Sequence, residues 1–316
     1  MRVVVTGGGG YIGGQTVLKL LDAGHSVLAI DRVWQPDHLE HCGAKWLIGD
    51  FAGEIALGAI KTFQPEAIIH CAGTSLVGPS ITDPEDYYNN NFIRTKILCD
   101  FLITHQIKTR LIFSSSAATY GNPIMNPCQE VDPAEPISPY GESKLMIEWM
   151  LRSYQRAYGL DYVAFRYFNA CSADSQARHG QRPGATHIIA RVLEALRDKT
   201  DQFVLNGTDF ETDDGTCIRD YIHVEDLATA HVLATDAKIP SDVYNLGTNT
   251  GYSNLQIIHG AIAVTKQDLI YNTGPRREGD PAMLTADATK FMTVSEWRPQ
   301  FGLEDIIRHA WNWYNK

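Results

Sequence analysis

Residues 6–14 read TGGGGYIGG, between an apolar run, RVVVT, and a helical stretch containing TVLKLLDAG. No other segment narrows the possible folds so much. Gly7, Gly10 and Gly13 stand in a G-x-x-G-x-x-G spacing. Glycines so placed let a backbone turn tightly and approach a pyrophosphate at a helix N-terminus. Asp31 closes the second apolar run, twenty-one residues past Gly10. A carboxylate there binds the ribose hydroxyls of NAD and repels the 2′-phosphate of NADP. The expected cofactor is therefore NAD, although Arg32 beside the acid softens the discrimination. The plainer alternative is a surface loop with a strand-end acid.

The rest of the first half alternates. Apolar, β-rich runs occupy 2–6, 25–31, 44–50, 66–73 and 110–116, with helical stretches between them. Gly24 is a plausible end for the first helix. This order implies βαβ units and an α/β fold, a Rossmann-like doubly wound parallel sheet. Residues 161–169 read as one more strand and 243–248 as a late one. The breaker-rich stretch 172–186 reads as a loop joining two lobes, and 186–199 as an amphipathic helix. The expected division is 1–170 plus about 220–247 for the sheet lobe. About 171–219 and 248–316 then form a smaller mixed α/β lobe.

Composition removes other classes. The 316 residues suffice for two lobes, and a net charge of −10 without a basic run argues against nucleic-acid binding. No apolar run reaches bilayer length, and the N-terminus opens on a strand without a signal peptide. The six cysteines are scattered with no CxxC pair. They read as reduced thiols of a cytoplasmic protein, forming neither a metal site nor a disulfide frame.

SPYGESK, residues 138–144, raises the chemistry. Ser138 suits a helix N-cap and Pro139 the first helical position, so Tyr140 and Lys144 share a face one turn apart. A free tyrosine has a pKa of ~10, and lowering it to about 7 takes roughly 4 kcal/mol. A lysine ammonium and a positive nicotinamide ring could supply that together. Lys144 could also bind the nicotinamide ribose. Ser116, at the end of RLIFSSS, sits where open α/β sheets place chemistry and could hydrogen-bond the same substrate hydroxyl. The alternative is a surface lysine. Asp50 in GDF reads as an adenine contact or a turn residue, and Gly73 in HCAGTS as backbone passing the cofactor. Asn90 in YYNNN reads as a cofactor contact, an N-cap, or both.

GGGGYIG, SSSAATYG, SPYGESK, RYFN, DGTCIRDYIHVEDLA and PRREGDP follow one another in this order. From Val3 to roughly Asp287 the chain resembles the extended short-chain dehydrogenase/reductase superfamily, and within it is similar to the UDP-glucose 4-epimerases. The resemblance implies tightly bound NAD in the sheet lobe and a UDP-sugar in the smaller lobe. It also implies interconversion of UDP-galactose and UDP-glucose through a 4-keto sugar, and a homodimer paired through two helices of the sheet lobe. Tyr140 becomes the acid/base, with Ser116 and Lys144 in support. Tyr11 and Ile12 belong to the pyrophosphate turn, and Asp50 and Phe51 lie near the adenine. Ala72, Gly73, Asn90, Ser114 and Phe168 are placed on the cofactor side. Asn169 and His187 fall to the diphosphate-sugar, Arg219 and Arg277 to a diphosphate clamp, and Asp280 to the uridine ribose. Guanidinium suits phosphate through paired donors; without the resemblance each arginine reads as a salt-bridge residue. His223 and Asp226 read as structural caps of VEDLATAHVLA.

Departures from the family pattern are Ser75 in place of a lysine, Thr186–His187 in place of an Asn pair, and Asn206 in place of an aromatic. Leu284 stands at a gate near the sugar's 2-position. Three rivals remain: a 4-epimerase of another nucleotide sugar, a 4,6-dehydratase, and a non-catalytic NAD-binding regulator. The dehydratase lacks its Asp-Glu pair, since SSSAATYG holds no carboxylate.

Overall fold

In β1 (Arg2–Thr6) four consecutive residues are buried, yet they serve two cores. Val3 and Val5 point into one apolar layer and Val4 into the other, the period-2 alternation of a strand covered on both faces. The structure is a computed structural model, which describes the chain except residues 34–35, 201–202 and 278–279. The strands that follow are β2 (Ser26–Asp31), β3 (Lys45–Ile48), β4 (Ala67–His70), β5 (Arg110–Ser116) and β6 (Tyr162–Tyr167). Then come β7 (Asn169–Cys171), β8 (Phe203–Asn206), β9 (Ile218–His223) and β10 (Asp242–Leu246), and finally β11 (Gly251–Ser253), β12 (Tyr271–Gly274) and β13 (Met283–Leu284).

Seven of these form a parallel sheet in the order β10-β6-β5-β4-β1-β2-β3. Strand order reverses between β1 and β4, the place where open α/β sheets bind ligands. Helix α1 (Tyr11–Asp22) covers one face of the sheet. The opposite face carries α2 (Glu54–Phe63). Two short helices, α3 (Val77–Thr82) and α4 (Pro84–Tyr87), lead through a π-helical turn, Tyr88–Ile93, into α5 (Arg94–Thr104). Helix α5 and α6 (Pro139–Tyr158) join α2 on its face, contributing Leu98, Leu102, Ile147 and Leu151. The smaller region holds a sheet ordered β11-β9-β13, with β7 beside β9, and a two-stranded β8–β12 ladder. Its core lies among α7 (Ile188–Asp198), α9 (Asn254–Thr265) and α11 (Leu303–Tyr314). Helix α8 (Val224–Leu233) returns to pack with α1, and α10 (Thr289–Val294) adds Phe291 to the same layer. Among the described residues no helix is long and apolar enough to cross a membrane.

The reading of 161–169 as one strand does not hold. β6 ends at Tyr167, Phe168 N–H donates to Leu246 O at 3.1 Å, and Asn169 opens β7 against β9. The chain changes sheets at Phe168. Residues 188–198 are helical as expected, with His187 as their N-cap. His223 caps α8, but Asp226 does not: its carboxylate accepts the backbone amides of Gln300 and Phe301 and pins the segment before α11. Ser138 caps α6, its Oγ accepting the Gly141 amide at 3.2 Å.

His70, ending β4, is buried between two hydroxyls. Thr95 Oγ1 donates to Asn91 O, so it accepts from His70 Nε2–H at 2.8 Å. Nδ1 then accepts from Thr6 Oγ1 at 2.6 Å. Burial, with the Lys144 cation nearby, pushes this imidazole down to about 3. Between that value and the ordinary 6.5 the unfolded chain binds a proton that the folded chain refuses. Stability is therefore full above 6.5 and falls with pH below it, by about 2 kcal/mol at pH 5 from this residue. Urea midpoints at pH 7.5 and pH 5 should differ less in His70→Gln than in the parent chain.

Candidate functional site

Two cavities open at the carboxyl ends of the strands. The first, about 580 Å³, is lined by the glycine turn, the ends of β2 and β4, and residues 179–185. Gly7 (φ +73°) makes the turn, and a Cβ there would lie 2.7 Å from the Ala72 nitrogen. Gly10 precedes α1 with no side-chain cap, so the first-turn amides of α1 are free for an anion beside a cavity wall of Gly9, Gly10 and Tyr11. Asp31 accepts the Gly9 amide at 2.9 Å and stands on the same wall. These features suit a dinucleotide: uncapped amides for its pyrophosphate and a carboxylate for a ribose.

Of the residues expected on the cofactor side, Gly7, Gly10, Tyr11, Asp31, Phe51, Ala72, Gly73 and Asn90 line this cavity. Others stand apart from its lining. Ile12 packs against the core beneath. Gly13 faces the Gly7 carbonyl, 2.0 Å from where its Cβ would lie. Asp50 pairs with Arg94 and accepts the Ala52 amide at 3.1 Å, while its neighbours Gly49 and Phe51 form the wall. Phe168 lines the second cavity. Asn90 lies inside the π-helical turn, not at a helix start. It accepts from Arg32 at 2.8 Å and donates to Asp86 and to Thr74 Oγ1.

The second cavity, about 710 Å³, gathers Ser116, Asn169, His187, Arg219, Arg277 and Asp280. Arg219, nine-tenths buried, reaches Asp280 Oδ1 at 3.3 Å. Asn169 Nδ2 donates to Asp220 O at 2.9 Å, which turns its amide oxygen free of that bond. His187, driven down to about 4 by burial, is neutral. Ser75, Thr186, Asn206 and Leu284 share these walls. In the PRREGDP motif, Glu278 and Gly279 lie outside the described residues.

Tyr140, Lys144 and Ser114 stand just behind the two cavities. Lys144 is buried, and its Nζ donates to Ser114 O at 2.9 Å. It lies 5.7 Å from the centroid of the Tyr140 ring and 5.0 Å from that of Phe113. The expected depression of Tyr140 is not present in the chain by itself. Burial raises its hydroxyl above the ordinary value, and a hydrogen bond with Ser116 only partly offsets this. Burial likewise lowers Lys144 to about 8. Desolvation opposes both charges, so a tyrosinate here needs further positive charge against the ring.

Two supporting residues, Asn91 and Tyr167, escaped the sequence reading. Asn91, fully buried, accepts the Thr74 amide at 2.8 Å and donates to Thr74 O and Ser143 Oγ. It ties the strand-end segment to α6, and only burial distinguishes it from the two asparagines before it. Tyr167 OH donates to Ser114 Oγ at 2.9 Å and contacts His231 Nε2. Ser114 Oγ in turn donates to Cys71 Sγ at 3.3 Å.

A profile described as the NAD dependent epimerase/dehydratase family matches residues 3–247. A UDP-glucose 4-epimerase of Halalkalibacterium halodurans is 42% identical, covering 100% of this chain and 96% of that one. The structure is similar to a UDP-glucose 4-epimerase of Brucella ovis in complex with NAD, with a TM-score of 0.93 and 37% identity over 98% of this chain and 97% of that one. It is also similar to a UDP-glucose-4-epimerase of Stenotrophomonas maltophila with bound NAD and formylated UDP-arabinopyranose. There the TM-score is 0.95 and the identity 30%, over 100% of this chain and 98% of the other.

Asn91→Ala would strand the Thr74 amide. It should lower stability by about 2 kcal/mol, read as a shift in the urea unfolding midpoint.

Proposed function

The chain belongs to the NAD dependent epimerase/dehydratase family, and we propose that it is a NAD-dependent 4-epimerase interconverting UDP-galactose and UDP-glucose through a 4-keto intermediate. One observation carries this reading. Tyr140, Ser116 and Lys144 converge between a cavity with an uncapped helix N-terminus and a ribose-ready acid, and a cavity lined by three arginines, Arg191, Arg219 and Arg277. The relatives' names and their bound NAD and UDP-sugar support it.

In this reading residues 1–170 with about 220–247 hold NAD, and about 171–219 with 248–316 hold the UDP-sugar. NAD, when bound, takes up and returns hydrogen at C4 and brings a positive ring. Asp31 would hold the adenosine ribose, Phe51, Ala72 and Gly73 the wall beside it, and the α1 amides the pyrophosphate. Lys144 holds its charge beside the Tyr140 ring through its bond to Ser114 O. Tyr140 would take the proton of the sugar's 4-hydroxyl and give it back on the other face, with Ser116 sharing that proton. Arg219 and Arg277 would grip the diphosphate, Asn169 and His187 the diphosphate-sugar, and Asp280 the uridine ribose. A second reading, the same chemistry on another nucleotide sugar, is favoured by Leu284 on the wall of the sugar cavity and by the UDP-arabinopyranose derivative of one relative.

The reading includes a cytoplasmic homodimer. Its pairing surface would be α5 and α6, joined by Tyr154 OH donating to Asp100 Oδ1 at 2.6 Å, where Ile97 and Trp149 stay exposed. Trp149→Glu should then halve the mass seen by light scattering.

Incubation with UDP-galactose, without added reductant and followed by NMR of the anomeric protons, should yield UDP-glucose. Tyr140→Phe should keep the fold and the NAD and lose about 10²- to 10⁴-fold in turnover. Undiminished turnover in that variant would overturn the assignment of Tyr140.

A further inference from the structure

The first cavity has a closure that no sequence motif announces. His38 lies on the segment after β2, in a single 3-10 turn, Asp37–Leu39. His179 lies on the connection between β7 and α7. The two rings meet 141 residues apart in sequence, His38 Nε2 to His179 Nδ1 at 2.8 Å, and both stand on the cavity wall.

The protons on this pair are fixed by chemistry. His179 Nε2 lies 2.8 Å from Tyr11 O, a group that only accepts, so Nε2 carries the proton. Nδ1 is then a bare acceptor, and His38 Nε2–H is its donor. The chain His38→His179→Tyr11 O therefore crosses from one rim of the cavity to the glycine turn at its centre. Space is set aside for it: a Cβ on Gly14 would lie 2.6 Å from the His179 ring. Behind the latch stands α11. Trp313 meets His38 edge-on at 5.1 Å and donates its Nε1–H to Gln181 O at 2.8 Å. Lys316 Nζ donates to Ala177 O at 3.0 Å.

The two residues differ in one respect. His179 is 2% exposed and fixed, whereas His38 is exposed on its outer side. The bond can thus open by movement of His38 alone, without unpacking a core. Resting on the reading of this cavity as the NAD site, we propose that His38 and His179 are cofactor-retaining residues. Their hydrogen bond clasps the two rims over the dinucleotide and limits its escape.

The test is exchange of bound NAD for labelled NAD in the purified holoenzyme. His38→Phe keeps the packing on Trp313 and removes the donor. It should speed exchange about fivefold, the fold-change expected for one partly exposed hydrogen bond. His38→Gln restores an N–H donor and should return exchange to within about twofold of the parent chain. Melting temperatures taken in parallel separate release from unfolding, because an exposed His38 should leave them alike. Equal exchange in His38→Phe and the parent, equally fast exchange in both variants, or a purified chain holding no dinucleotide would each overturn the proposal. The sugar reading is tested apart from it: a chain that exchanges NAD as described but leaves UDP-galactose untouched keeps the latch and loses the substrate.

Discussion

A Cβ on Gly13 would lie 2.0 Å from the Gly7 carbonyl oxygen, and one on Gly7 2.7 Å from the Ala72 nitrogen. β1, α1 and the segment after β4 thus meet backbone to backbone, with no side chain between them. Gly7 also needs its positive φ, which glycine adopts without strain. Everything at the first cavity follows from this contact. It brings the amino end of α1 down to the point where strand order reverses. It lets Val17 and Leu20 seat against the β1 face, and it leaves the α1 amides beside the carboxylate of Asp31. A methyl group at residue 13 would lift the helix off the sheet and open that cradle.

A second constraint is electrostatic. The groups behind the cavities are largely buried, and burial resists charge of either sign. Lys144 keeps its charge because Ser114 O accepts a hydrogen bond from its ammonium and two aromatic rings face it. Burial pushes Tyr140, like Lys144, toward its neutral form. A buried acid/base of this kind is poised for change, because one added positive charge in low dielectric moves it far. In the proposed reaction the oxidised cofactor carries that charge, so the tyrosine would be a base only when its redox partner is in place.

How much of this was legible in the sequence depended on range. The glycine turn, Asp31, and the Ser138 cap with Tyr140 and Lys144 one turn apart are local patterns, and local sterics and hydrogen bonding specify them. Residues 110–116 were readable as a strand because both faces are covered and the apolar run is continuous. The break at Phe168 was not readable, because no glycine or proline marks it in YVAFRYFNAC. What ends β6 is a bond to Leu246, far along the chain. Asn91 was hidden among three adjacent asparagines, since the choice between them rests on which one faces Ser143. The rise of the Tyr140 hydroxyl in the chain by itself was hidden for a related reason. Spacing told how near the lysine comes, and only packing told that burial acts against both charges.

The break at Phe168 also relates the two cavities to each other. Tyr167, the last residue of β6, is fixed from the sheet side by Ser114 and His231. Asn169, the first of β7, is fixed from the smaller region by Asp220 O. Two residues apart, they belong to different sheets, and the backbone between them is bonded to β10 at Leu246. A ligand pressing on Asn169 in the second cavity therefore works against a backbone already held at both ends. Movement there has little room to be absorbed before it reaches Ser114, whose carbonyl holds Lys144. The two cavities are thus joined by three residues of chain and one buried hydrogen-bond chain. A reaction in which a sugar must turn over while its cofactor stays still needs a frame of this kind, with rigid walls around a roomy cavity.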